Sequence, residues 1–254
     1  MFPYRDELKP MRRPSVTIAL IVANVLVWVL VQGAGVAAGP LMRSVCYLGL
    51  IPGELTGTVP PGTSFPLGDG YACVTEAGRH ASHIFTSMFL HGSWVHLLGN
   101  MWFLWIFGRN VEDAMTRPRF LAFYLLGGVA AAAAQVAAGP SSGVPMVGAS
   151  GAISAVMGAY LILYPTVRVY AVVPLGIFLT NIALPAWSML LYWAGIQLLS
   201  GVASVGDSAG SGVAFWAHVG GFTAGILLVK AFVRADRVDA RELERWRPKR
   251  VIWG

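Results

Sequence analysis

Apolar residues in this chain gather into six long runs, at about 15–32, 86–108, 119–138, 146–164, 180–202 and 213–233, with shorter polar stretches between them. Each run approaches the ~20 residues that a helix needs to cross about 30 Å of hydrocarbon. A helix also satisfies its own backbone N–H and C=O groups there. The pattern therefore predicts six transmembrane helices. The first run, Ser15 to Gln32, has 18 residues without a charge and no clear cleavage site after it, so it reads as a span and not as a signal peptide. Val169–Leu184 is also apolar, but Pro174 and Pro185 bracket it, and it reads as a loop or re-entrant piece leading into the fifth helix.

The connections are short except for one, from about Gly33 to Phe85, which is rich in Gly, Pro and Thr (Thr56-Gly57-Thr58-Val59-Pro60-Pro61-Gly62-Thr63). A long, weakly periodic loop in a compact bundle is usually functional or disordered. This one is partly apolar and is expected to lie against the membrane surface. No internal repeat is visible, which argues against an inverted-repeat transporter.

Composition agrees with the pattern. Hydrophobic residues make up 56% of the 254, charged residues only 12%, and the mean hydropathy is +0.64, whereas soluble domains carry about 25% charged residues. The net charge of +6 does not indicate nucleic-acid binding, because the basic residues flank the apolar runs and form no basic face with interleaved aromatics. Their placement tests the topology instead. Every Lys and Arg except Arg43 and Arg79 falls before run one, between runs two and three, between four and five, or at and after the end of run six. The positive-inside rule then places both termini in the cytoplasm, which requires an even number of spans. Residues 1–14 form a cytoplasmic N-terminal segment, 15–233 the six-helix domain and 234–254 a basic cytoplasmic tail. Cys46 and Cys73 both fall in the long extracytoplasmic loop, where they form either a disulfide or two free thiols.

Polar residues at membrane depth are the candidate chemistry. In run two, His96 and Asn100 are four apart and share a helix face, while His91, five before His96, belongs near the helix entrance. Run four opens with Gly148-Ala149-Ser150-Gly151-Ala152. Ser150, Ser154 and Gly158 form a small-residue stripe that lets a neighbouring helix come close. Ser150 also belongs to the first helical turn, whose free N–H groups favour a developing negative charge. Run six carries His218 three residues before Gly221 in a Gly221-x3-Gly225 packing pattern, so the glycines and the histidine share a face. If runs four and six interlock, His218 meets Ser150. A nucleophile, a base and oxyanion donors in His96, Asn100 and the Ser150 backbone N–H are then assembled for acyl transfer. No acidic residue lies in a span to orient the histidine, so the pattern is a dyad.

Three ordered motifs, His91-x4-His96-x3-Asn100, Gly148-Ala149-Ser150-Gly151 and Ala217-His218-x2-Gly221-x3-Gly225, make the chain resemble the rhomboid intramembrane serine proteases over roughly residues 15–233. The resemblance implies an all-α, six-transmembrane-helix bundle and a serine-type endopeptidase without cofactor or metal. Ser150 is implied as nucleophile and His218 as general base. His96, Asn100 and the Ser150 amide are implied as the oxyanion hole. Glu112 matches the family's structural glutamate after the second helix, and the long loop its membrane-lying first loop. Substrates would be transmembrane segments of other proteins, cleaved at a small residue such as Ala and admitted past the fifth helix, in a bacterial inner membrane. Two positions depart from the pattern. Ser154 stands where many members place an aromatic residue against the base, and Ser82-His83 stands where a Trp-Arg pair often anchors the first loop.

Three other readings compete with this one. A transporter would line a pore with ionisable groups, yet only His96 and His218 lie well inside spans. A metal site could draw on His80, His83, His91 and His96, but these have neither an i, i+4 pair nor a carboxylate pair nearby. A catalytically weak binder or quality-control factor for transmembrane helices has no need of an intact Ser150 and His218.

Overall fold

The computed structural model describes residues 2–68, 70–78, 80–175, 178–204 and 213–238. Arg79 and the basic tail beyond residue 238, both used above in the charge count, lie outside the described residues. The protein is mostly helical. Run one becomes α1 (Ser15–Leu30), which buries Thr17, Leu20, Asn24 and Trp28, the three-to-four spacing of a single helix face. Run two becomes a continuous helical stretch: α5 (Trp94–Phe103), a π-helical turn (Leu104–Gly108) and α6 (Arg109–Ala114). Then come α7 (Arg117–Ala138), α8 (Ser150–Leu163), α9 (Ala186–Ala203) and α10 (Phe215–Phe232). Of these, α7, α9 and α10 are long and apolar enough to cross a membrane by length and composition, whereas α1 and α8 are shorter apolar helices. Large apolar side chains such as Leu26, Trp102, Leu126, Leu191 and Leu227 stay exposed on the outside of the bundle, as expected where the surroundings are lipid.

Small residues hold the centre together. A Cβ added at Gly151 would crowd Ala131 on α7, and one at Gly220 would overlap Ala134 of the same helix. Between α8 and α10 the approach is closer still. Added Cβ atoms at Gly221 and Gly225 would overlap the backbone carbonyls of Gly151 and Ala155, and one at Gly158 would overlap that of Phe222. Only glycine allows helix backbones to touch in this way.

The long loop is built, not irregular. It contains α2 (Ala38–Leu48), α3 (Pro52–Thr56), a hairpin of β2 (Ser64–Gly68) and β3 (Tyr71–Val74), and α4 (His83–Thr86). A Cys46–Cys73 disulfide ties α2 to β3. Leu50 pairs with Met146 as an isolated bridge, and Gly53 N–H donates to the Ser142 carbonyl at 2.9 Å, so the loop braces the segment that leads into Ser150.

At the opposite end of the bundle the structure corrects the reading of Val169–Leu184 as a loop or re-entrant piece. The segment is a hairpin, β4 (Arg168–Leu175) and β5 (Phe178–Pro185), extended by β1 (Phe2–Asp6) into an antiparallel sheet of order β1-β4-β5. The all-α expectation is corrected to a helical bundle with small sheets. Buried Val167, Val169 and Ala171 alternate with exposed Arg168 and half-buried Tyr170, the period of a strand. The third strand arrives from far away in sequence, which periodicity within the segment cannot show. Buried Asp6 anchors it, accepting from Arg109 Nη2 (2.7 Å), Asn110 Nδ2 (2.6 Å) and the Tyr160 hydroxyl (2.7 Å).

Candidate active site

Ser150 is the first residue of α8, and no side chain caps the helix end. Its N–H therefore belongs to the first turn, where backbone donors lack intrahelical partners. The chain enters α8 through Gly148 at φ +125°, a conformation that L side chains rarely adopt. A Cβ at this position would also lie 2.7 Å from His96 Nε2. Glycine is needed here for both reasons, and its N–H is held by the Ser87 carbonyl at 2.9 Å.

The glycine contacts between α8 and α10 bring His218 beside Ser150, with Nε2 2.8 Å from Oγ. His96 and Asn100 reach the same place from α5. Ser93 caps that helix by accepting from the His96 N–H at 3.1 Å. Asn100 is 8% exposed and its Nδ2 has no hydrogen-bond partner among the described residues, a free donor in a buried setting. Ser150, His218, His96 and Asn100 all line one cavity of about 460 Å³, walled by Phe103, Ile153, Met157 and Trp193. A smaller cavity of about 20 Å³ touches Ser150 on its other side, beside Ser87 and Gly128. That is enough room for a water molecule.

The remaining predicted residues lie around this centre. His91 is fully buried, and its backbone makes a reciprocal pair with the Gln32 amide: Gln32 Nε2 donates to the His91 carbonyl and His91 N–H donates to Gln32 Oε1, both at 2.8 Å. Its ring packs edge-on against His96, with centroids 5.0 Å apart. Glu112 sits away from the cavity and caps α1, accepting from the N–H groups of Val16 (2.9 Å) and Thr17 (2.8 Å) and from the Thr17 hydroxyl (2.8 Å). The histidine cluster splits in two, because His80 and His83 stack on each other in the loop with centroids 4.9 Å apart.

Two residues beside the dyad were missed in the sequence. Gln197 Oε1 lies 2.7 Å from His218 Nδ1, and the Trp193 ring lies 5.9 Å from the imidazole. Both belong to α9. Ser154, at the position where an aromatic was expected, donates to the Ser150 carbonyl at 2.6 Å. Trp193 supplies from another helix the ring that Ser154 lacks. A glutamine inside an apolar run was the available signal, since an uncharged polar side chain at membrane depth also needs a partner.

These features define an integral membrane protein with a serine and a histidine in hydrogen-bond contact inside a helical bundle. The Rhomboid domain family model matches residues 78–235. Rhomboid-like protease 5 of Toxoplasma gondii is 34% identical over 154 residues, covering 58% of this chain and 16% of that protein. Presenilin-associated rhomboid-like protein A, mitochondrial, of Danio rerio is 37% identical over 75 residues, covering 29% of this chain and 20% of its own length. The chain thus spans no more than about a fifth of the curated relatives it matches. It belongs to the rhomboid family.

Proposed function

We propose that this chain is an intramembrane serine endopeptidase that cleaves transmembrane segments of other membrane proteins through a Ser150–His218 dyad. The observation that carries this reading is the 2.8 Å contact between Ser150 Oγ and His218 Nε2, made in a cavity shared with His96 and the unpartnered Asn100 amide. Ser150 Oγ attacks the scissile carbonyl carbon while His218 Nε2 takes the hydroxyl proton. The carbonyl oxygen becomes an oxyanion, received by the Ser150 N–H, Asn100 Nδ2 and His96. His218 returns the proton to the departing amine as the C–N bond breaks, leaving an acyl-enzyme. A water molecule, deprotonated by His218, then attacks the ester and frees Ser150. His91 and Gly148 hold His96 in place, Gly221 and Gly225 hold His218, and Glu112 fixes α1 to the end of α6. No step calls for a cofactor or metal.

We further propose the six-span topology, counting α1, the 94–114 helical stretch and α7 to α10 as spans, with 1–14 and 234–254 as cytoplasmic flanks of a 15–233 protease domain. Support comes from the described basic residues, which apart from Arg43 sit on β1, residues 7–14, the start of α6, the start of α7, β4, and the end of α10 with the residues just after it. The Cys46–Cys73 disulfide lies at the opposite end, in keeping with an oxidising compartment there. A bacterial inner membrane, expected from sequence, draws no support from the eukaryotic relatives.

The test is cleavage of a single-span substrate and labelling by a fluorophosphonate, with wild type compared to Ser150→Ala and His218→Ala. Each substitution is expected to lower cleavage by at least about 10⁴-fold and to abolish labelling, as for removal of one member of a concerted nucleophile–base unit. Labelling that survives Ser150→Ala would sink the mechanism.

A further inference from the structure

We propose that Gln197 is the positioning residue of His218; this rests on the dyad reading above. An amide oxygen only accepts hydrogen bonds. With the amide turned so that Gln197 Oε1, not its NH2, faces Nδ1 at 2.7 Å, the hydrogen belongs on Nδ1. In a neutral imidazole the lone pair then sits on Nε2, 2.8 Å from Ser150 Oγ, where it accepts the serine proton. The other tautomer would aim an N–H at Ser150 and leave no base. Gln197 therefore does for His218 what an orienting carboxylate does in a triad, without placing a charge in the bundle.

Among the described residues, nothing else near the base takes this part. The Ser154 hydroxyl is spent on the Ser150 carbonyl at 2.6 Å. Trp193, one helical turn before Gln197 and so on the same face of α9, bears on the imidazole and on Phe222, whose ring centroid lies 6.0 Å away. Tautomer and ring plane are thus both set from α9. Like α10, this helix is less embedded than α8. It buries only Ala186, Met189, Leu190 and Gly201 along its length, whereas α8 buries every residue from Gly151 to Tyr160.

The experiment compares wild type with Gln197→Leu, Gln197→Met and Gln197→Glu in the purified full chain. Fluorophosphonate labelling rate, kcat and KM on a single-span substrate, and thermal midpoint are measured together. The Leu and Met variants are expected to label and turn over at least about tenfold more slowly, with KM changed less than about twofold, because the lost bond serves the chemical step. Gln197→Glu keeps an oxygen acceptor and is expected to stay within about threefold of wild type. If Gln197→Leu does not fold, the contrast between Met and Glu carries the same test. Wild-type labelling rates in the Leu or Met variant, or a Glu variant as slow as Met, would overturn the positioning role. A wild-type protein that neither labels nor cleaves instead overturns the dyad reading itself.

Discussion

Helices α8 and α10 meet backbone to backbone, while α9 meets them through side chains. At the first interface, Gly158, Gly221 and Gly225 each leave out a Cβ that would overlap a backbone carbonyl of the facing helix. The distance between Ser150 and His218 is therefore set by rigid main-chain contact. At the second, Trp193 and Gln197 reach across to His218, and a side-chain contact can be made and broken without shifting a helix core. On the proposed mechanism, the seam fixes where the reacting atoms are, and the side-chain interface fixes whether the base points the right way. Close packing is stiff, so of the two contacts the side-chain interface is the more readily adjusted.

The seam is the easier of the two to break. Gly221→Ala and Gly225→Ala each put a methyl against a carbonyl of α8, an overpacking expected to cost about 1–3 kcal/mol. The dyad would be displaced by a fraction of an ångström or more, for which a roughly 100-fold loss of kcat/KM is expected. Thermal denaturation and cleavage assays of the two variants, alone and combined, check this. Because both methyls push the same pair of helices apart, the double variant should lose less than the sum of the singles. Full activity in Gly225→Ala would show that the seam does not set the catalytic distance.

Next in size is Trp193→Ala, which leaves Gln197 in place but removes the ring against His218 and Phe222. An aromatic contact of this kind accounts for about 0.5–1.5 kcal/mol, so labelling is expected to slow about threefold to tenfold. Combined with Gln197→Leu, the two effects should be non-additive, since both act on one imidazole. Additive losses in the double-mutant cycle would mean that α9 does not act on the base as a unit.

A smaller effect is expected where the seam is anchored far from the chemistry. Tyr160→Phe removes the hydroxyl that donates to Asp6 at 2.7 Å and is expected to cost about 1 kcal/mol of stability. Arg109 and Asn110 still hold the carboxylate, so cleavage by the folded protein should be unchanged. A matching loss of activity would extend the catalytic seam to the whole length of α8.

The same contrast explains what could be read ahead of the structure. Ser150, His218, His96 and Asn100 stood out because each is polar at membrane depth and each is flanked by glycines or helical spacing that says which face it occupies. The small-residue stripes announced the α8–α10 seam, since Gly-x3-Gly has few uses other than close approach. The α9 interface left only a fainter trace, a glutamine inside an apolar run. Its partners are a tryptophan and a glutamine, and which helix face they turn toward His218 depends on how α9 is seated, a tertiary fact. The sheet was hidden for a related reason. Its hairpin is apolar enough to pass for a span entrance, and its third strand, Phe2–Asp6, pairs with residues more than 160 positions away. The disulfide stayed open because cysteine spacing carries no pairing geometry.

Gly195→Ala offers the weakest perturbation and the sharpest control. Gly195 lies on α9 between Trp193 and Gln197, yet a Cβ added there meets nothing within 4 Å. Where nothing is in the way, alanine is the better helix former by about 0.8–1 kcal/mol, so the variant should be as stable as wild type or slightly more so, with unchanged labelling and cleavage. The substitution is chemically identical to Gly221→Ala, and the two differ only in which interface receives the methyl. A tenfold or greater loss of kcat/KM in Gly195→Ala would mean that α9 is seated by backbone contact after all. The distinction between a rigid seam and an adjustable side-chain interface would then fail on the side where it makes its strongest claim.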